Sequence, residues 1–65
     1  MDGILSERVN FNGLHFEPGT SVHIDKDYAH LVERMDPDES LVVSVGLMYY
    51  SVKALVKKSQ ILFAA

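Results

Sequence analysis

The stretch from Val9 to Phe16 constrains the fold of this chain most, because it carries Asn12-Gly13 between alternating apolar residues. Asn-Gly favours a type I′ turn, in which both central residues take positive φ, and such a turn closes a two-residue hairpin. The resulting register predicts three cross-strand pairs: Val9 with Phe16, Asn10 with His15, and Phe11 with Leu14. The four apolar side chains then share one face, and the two polar ones lie on the other. The sequence therefore predicts a hairpin over residues 9–16.

The length of the chain predicts a single small domain over residues 1–65, near the lower size limit for a self-sufficient core. The chain has no cysteine, which excludes a disulfide framework and a thiolate zinc site. Met1-Asp2-Gly3 lacks the basic start of a secretory signal, so an intracellular origin, or a particle assembled inside a cell, is expected. The uncharged run 40–52 is shorter than the about 20 residues of a membrane-spanning helix, so no membrane span is expected.

Charge and hydropathy divide the chain into two unlike parts. Residues 1–40 hold all nine acids and three of the six cations, whereas residues 41–65 hold three lysines and no acid. The second part is also mostly apolar, so it must be buried in its own sheet or against another molecule. The formal net charge of −3 argues against nucleic acid as the main partner, because phosphate contacts dominate that affinity.

Turn and cap signals divide the first part into further elements. Residues 1–8 are expected to be a loose lead-in, and Pro18-Gly19 favours a turn before an alternating strand over residues 21–25. A tight turn there would place Val22 on the wrong face, so either the loop is longer or this strand pairs with another neighbour. Asp25 then caps a helix predicted over residues 26–35, whose apolar stripe comprises Tyr28, Leu31, Val32 and Met35.

Residues 36–65 admit three interpretations. A strand over residues 40–46 followed by a helix is favoured by the valines, and one long helix by a heptad-like apolar stripe. Strands throughout would instead give a small SH3-like barrel, with Lys58-Ser59-Gln60 as the turn before a final strand. We predict a small α+β fold with an antiparallel sheet from residues 9–25 and 40–46, and a helix over residues 26–35 on one face. The C-terminal strand or helix segment then completes the core or docks on a neighbour, and the SH3-like β-barrel is the alternative.

Two of the histidines are candidate metal ligands. If the loop after Phe16 has three residues, His15 and His23 face each other with Glu17 and Asp25 on the same face, which is a possible metal site. Exposed histidines on a solvated face explain the same pattern more simply, so no metal or other cofactor is predicted. The chain also lacks a nucleophile elbow and a phosphate-binding glycine loop. A core as small as this one is not expected to enclose a sizeable pocket. We therefore expect no catalytic residues and no enzyme activity.

The best candidates for a functional surface are residues of the C-terminal part. Tyrosine and methionine are enriched in interface cores, and lysines near the C-terminus can meet an acidic patch on a neighbour. The predicted protein-interaction residues are Leu47, Met48, Tyr49, Tyr50, Lys57 and Lys58.

Residues 9–35 contain a series of short motifs in a fixed order: Phe11-Asn12-Gly13, Phe16, Pro18-Gly19, Val22, Ile24-Asp25, Ala29 and Leu31-Val32. In this order of motifs the segment resembles small proteins of tailed-phage structural gene clusters. Family members follow the helix with a small residue and a short strand, whereas this chain has Met35-Asp36-Pro37 and a long apolar segment. The resemblance implies a non-enzymatic virion component, located in the virion or the host cytoplasm, with no catalytic residues.

The sequence thus favours a structural or assembly protein that binds itself and a larger shell or connector protein. The apolar, lysine-bearing C-terminal part beside an acidic N-terminal part suits head-to-tail contact. The alternative is a small inhibitor that occludes a host enzyme through an acidic face. The residues of that face are Asp25, Asp27, Asp36, Asp38 and Glu39.

Overall fold

The computed structural model describes residues 1–64, in which antiparallel sheet dominates and one short helix is present. The elements in chain order are β1 (Asp2–Leu5), β2 (Val9–Phe11), β3 (Leu14–Phe16), β4 (Ser21–His23), α1 (Lys26–Val32), β5 (Ser40–Gly46), β6 (Ser51–Lys57), a 3-10 turn (Lys58–Gln60) and β7 (Ile61–Phe63). Five strands form one sheet in the order β6-β5-β4-β1-β7, and β2 and β3 form a separate two-stranded sheet. This architecture is a small α+β fold, as the sequence predicts.

The hairpin β2–β3 forms in the predicted register. Val9 pairs with Phe16, and the turn residues Asn12 and Gly13 take φ values of 50° and 78°. The prediction that residues 9–25 form one continuous sheet is wrong, because β4 pairs with β1 and β5 rather than with β3. Strand β4 therefore has another neighbour, which resolves the register conflict at Pro18-Gly19.

Strand β1 corrects the expectation of a loose lead-in. Residues Asp2–Leu5 form an inner strand of the sheet, paired with β4 on one side and β7 on the other. Only Gly3 and Leu5 point inward from this strand, and both are buried. Two inward positions, one of them a glycine, are too few to produce a periodic apolar signal.

Helix α1 begins as predicted and ends early. The carboxylate of Asp25 accepts a hydrogen bond of 2.9 Å from the backbone N–H of Asp27, which is the expected N-cap. The α-helix ends at Val32 rather than at Met35, because the N–H groups of Arg34 and Met35 bind carbonyls only three residues back. In the predicted apolar stripe, Val32 is buried and Met35 packs against the core. Tyr28 and Leu31, the other two residues of the stripe, are exposed.

Strands run through the whole C-terminal part. Strand β5 occupies the predicted residues 40–46, and β6, the 3-10 turn and β7 follow it, as in the interpretation with strands throughout and unlike the two interpretations with a C-terminal helix. Strands β5 and β6 pair over seven residues, and their inward positions alternate along the chain. The core is entirely apolar in the part of the chain that the structure describes: Leu5, Val9, Phe16, Val22, Ile24, Val32, Val43, Val45, Ala54, Val56 and Ile61.

Candidate functional site

The segment Leu47–Tyr50 links β5 to β6 and is here called the hairpin tip. The strand pairing continues up to Gly46 and Ser51, and the backbone N–H of Leu47 then donates a 2.7 Å hydrogen bond to the carbonyl of Tyr50. Leu47 packs against the core, whereas the side chains beyond it lie in solvent: Met48 is 87% exposed, Tyr49 90% and Tyr50 63%. The hairpin tip is therefore an ordered turn that presents three large side chains.

Turn geometry does not explain these side chains. The turns at Asn12-Gly13 and at Gly19 use residues that tolerate positive φ, and their φ values are positive. No residue of the hairpin tip has a positive φ, so the backbone of this turn does not select particular side chains. Small polar residues, which are common in turns, would close the loop equally well. The exposed run of methionine and two tyrosines is therefore an apolar feature of the surface that the closure of the turn does not require.

The predicted interaction residues do not form one surface. Lys57 pairs with Ser40, at the opposite end of the β5–β6 hairpin from the tip, and about 20 Å of strand separates the two ends. Lys58 is half-buried, and its Nζ donates a 3.0 Å hydrogen bond to the carbonyl of Met35. Lys58 thus ties the turn after α1 to the 3-10 turn, so the structure gives it a bonding role within the fold.

A second apolar surface lies between α1 and the first half of β5, and sequence reasoning missed it. Strand β4 pairs with β5 only at Val22 and His23, and then diverges into the helix, which opens a groove of about 470 Å³. The lining side chains come from both walls: Ile24, Tyr28, Leu31, Val32, Met35, Ser40, Leu41, Val42 and Lys53. Tyr28 and Leu31 belong to the predicted apolar stripe of the helix, but both are exposed at the groove. The groove exists because β4 and β5 separate, and no local sequence pattern encodes that separation.

A row of polar side chains crosses the outer face of the sheet. His23 and Asp2 share a 2.6 Å hydrogen bond, Ser44 is the β5 partner of His23, and Lys53 Nζ donates to Ser44 Oγ at 3.4 Å. The hydrogen bond with His23 is the main reason that the pKa of Asp2 is lowered below its usual 3.8. Desolvation opposes this shift, and the positive charges of His23 and of the N-terminus add smaller lowering effects. Serine, histidine and aspartate are the types of a hydrolytic triad, but residues 1–64 contain no hydrogen bond between Ser44 and His23.

The supposed juxtaposition of His15 and His23 is wrong. His15 lies on β3, where its Nδ1 and Asn10 Oδ1 share a 2.6 Å hydrogen bond, and β3 is not a neighbour of β4. Within the described residues no group of three or more histidine, aspartate or glutamate side chains could hold a metal ion. The two histidines therefore belong to separate surfaces.

Acid titration tests the link between β1 and β4. Because the folded pKa of Asp2 is lowered, its contribution to stability is present above pH 3.8 and is lost as the pH falls through the lowered value. We expect the melting temperature of Asp2→Asn to lie slightly below that of the wild type at pH 5 and to converge with it at lower pH. His23→Gln should remove the same pH dependence. If the melting temperatures of the wild type and Asp2→Asn differ by the same amount at every pH in this range, the predicted contribution of the Asp2–His23 hydrogen bond is wrong.

The acidic residues fall into two groups at the two ends of α1. Asp25 and Asp27 lie at its beginning, whereas Asp36, Asp38 and Glu39 follow its end and form the turn before β5. The backbone N–H of Asp36 donates to Glu39 Oε1 at 3.3 Å, and the N–H of Glu39 donates to the Asp36 carbonyl at 3.0 Å. Two of these acids thus stabilise a turn.

Comparisons with known proteins return nothing: no family model matches the chain, and no curated protein or solved structure is significantly similar to it. In residues 1–64 every helix is too short to cross a membrane.

Proposed function

We propose that this chain is a non-enzymatic structural or assembly subunit that binds other protein molecules through the hairpin tip. The observation that carries the proposal is the exposure of Met48, Tyr49 and Tyr50 on an ordered turn that does not need them. Amphipathic aromatic side chains contribute large contact areas, and their hydroxyl groups still find partners when buried. Because a hydrogen bond already closes the backbone of the tip, this backbone loses less conformational entropy on binding than an open loop would.

The strand topology supports a binding module. The sheet order β7-β1-β4-β5-β6, with a 3-10 turn connecting β6 to β7 along the chain, is the arrangement of an SH3-like fold, which we propose for this domain. In this interpretation α1 lies in the connection between β4 and β5, and the hairpin tip is the connection between β5 and β6. A fold of this type hosts many functions, so the tip rather than the topology carries the functional argument.

The setting we propose is a phage particle or its assembly pathway, with a copy of itself and a larger shell or connector protein as partners. The support for this setting is the resemblance of residues 9–35 to proteins of phage structural gene clusters. The location that we propose with this setting is the virion or the host cytoplasm. Capsid, connector or tail genes beside its own gene would support this setting, and a purely metabolic neighbourhood would count against it.

The double variant Met48→Ser, Tyr49→Ser tests the role of the hairpin tip. Both side chains are almost fully exposed, so we expect their removal to change the stability of the monomer by less than about 0.5 kcal/mol. Self-association should weaken at least tenfold, because each buried side chain of this kind contributes about 1.5–3 kcal/mol. Light scattering coupled to size-exclusion chromatography measures the association.

Leu62→Thr is the matched control. Leu62 is an exposed apolar residue on the outer face of β7, a strand separated from the hairpin tip by the rest of the sheet. We expect this variant to associate as the wild type does. If the double tip variant also associates as the wild type does, the proposed role of the tip is wrong.

A further inference from the structure

We propose that the hairpin tip of one copy inserts into the groove between α1 and β5 of a second copy, so that copies assemble head to tail. This inference rests on the proposed function, and it names both the partner and the surface that receives the tip. The groove is lined by Tyr28, Leu31 and Val42, all three of which are exposed in the single chain.

The two surfaces lie at opposite ends of one rigid element. The tip follows Gly46 at one end of the β5–β6 hairpin, whereas Ser40, Leu41 and Val42 form the wall of the groove at the other. About 13–20 Å of paired strand lies between Gly46 and these three wall residues, so the tip of a copy cannot fold back into its own groove. A contact between unlike surfaces is heterologous, and it continues into a ring or an open chain.

The tip is uncharged and the groove is nearly so, which makes the two surfaces compatible. Residues 45–52, which include the tip, carry no charge. In the groove, Lys53 is the single charged lining side chain among those that the structure describes. A charged segment would have to be desolvated to enter the groove, whereas an uncharged one enters at little cost. Lys53 also favours the tip in particular, since an ammonium group is attracted to a tyrosine ring and can donate to its hydroxyl.

The area of the contact sets its strength. A tyrosine or methionine of the tip presents roughly 150–200 Å² when exposed, so the tip as a whole offers about 450 Å². An equal area on the groove gives a total of about 900 Å², which is below the about 1,200–2,000 Å² of stable interfaces. A single tip-in-groove contact is therefore weak, and the assembly should grow with protein concentration rather than stop at a tight dimer.

Two complementary variants test the inference. The tip variant Tyr49→Asp keeps its groove, and the groove variant Leu31→Asp keeps its tip; both positions are exposed, so both chains should fold. Each variant alone should stay at the 7.3 kDa of one chain at concentrations where the wild type associates. An equimolar mixture should form a 1:1 complex of about twice that mass, because one intact tip meets one intact groove.

The outcomes separate this inference from the proposed function. A groove variant that associates like the wild type, beside a tip variant that does not, would overturn the groove as the receiving surface and leave the role of the tip standing. A tip variant that associates like the wild type would overturn both. A mixture of two monomeric variants that forms no complex would show that the contact is not tip in groove. Circular dichroism melting of each variant establishes that it is folded.

Discussion

Replacing Gly3 with alanine is expected to destabilise the domain by about 2–3 kcal/mol, or to prevent folding. A Cβ atom at this position would lie 2.7 Å from Ile61 Cγ2 and 2.8 Å from the carbonyl oxygen of Leu62. The second contact is with backbone, which cannot move without breaking the pairing of β1 with β7. Because β1 joins the two parts of the sheet, the loss should be global and visible in both thermal and urea unfolding.

Gly46→Ala is the matched control for this prediction. A Cβ atom at Gly46 meets no atom within 4 Å, and the φ of this residue is not positive. Alanine there should change the free energy of unfolding by no more than about 0.5 kcal/mol. Equal effects of the two substitutions would mean that β1 and β7 are not packed as described.

Ile24→Ala should cost about 2–5 kcal/mol, since Ile24 is 0% exposed and lies where β4 leaves the sheet. Its backbone N–H donates a 2.8 Å hydrogen bond to the carbonyl of Met1, so the same residue also fixes the start of β1. A domain of this size has only about 3–5 kcal/mol of stability, so the variant should be largely unfolded at room temperature. The circular dichroism spectrum and the urea midpoint measure the effect.

Two further isoleucine variants keep this prediction falsifiable. Ile24→Val removes one methyl group and should leave a folded protein that loses about 0.5–1.5 kcal/mol. Ile4→Ala removes the same atoms from a side chain that is 41% exposed, so its cost should be clearly smaller than that of Ile24→Ala. An Ile24→Ala variant as stable as Ile4→Ala would contradict the position of Ile24 in the core.

Structural elements that depend on a few neighbouring residues, such as a tight turn or a helix cap, were predictable from the sequence. Asn12-Gly13 determines both the turn and the register of β2–β3, and Asp25 determines the start of α1, because each acts through neighbouring backbone groups. Strand β1 escaped prediction because Gly3 contributes by close approach to β7, a contact with a segment nearly sixty residues away. The spacing of the apolar residues between positions 41 and 62 fits both a helical heptad and the alternation of a strand. Only the pairing of β5 with β6 decides in favour of strands.

The candidate site was predictable only where it depends on local composition. The composition of Met48, Tyr49 and Tyr50 singled out the tip, and the structure places these side chains in solvent. Lys57 and Lys58 lie away from the tip, at the other end of the β5–β6 hairpin, and the sequence gives no sign of this separation. The groove arises where β4 and β5 separate, so it is a property of topology and not of any one segment.

The most direct test of the proposed assembly role is the native mass of the wild-type protein, measured from dilute to concentrated solution at low and high salt. Contact between the uncharged tip and the apolar groove predicts a mass that rises with concentration and is unaffected by salt. Self-association that salt abolishes would point instead to a contact between the acidic residues of one copy and the lysines of another. A mass that stays at 7.3 kDa throughout would contradict self-assembly through the hairpin tip.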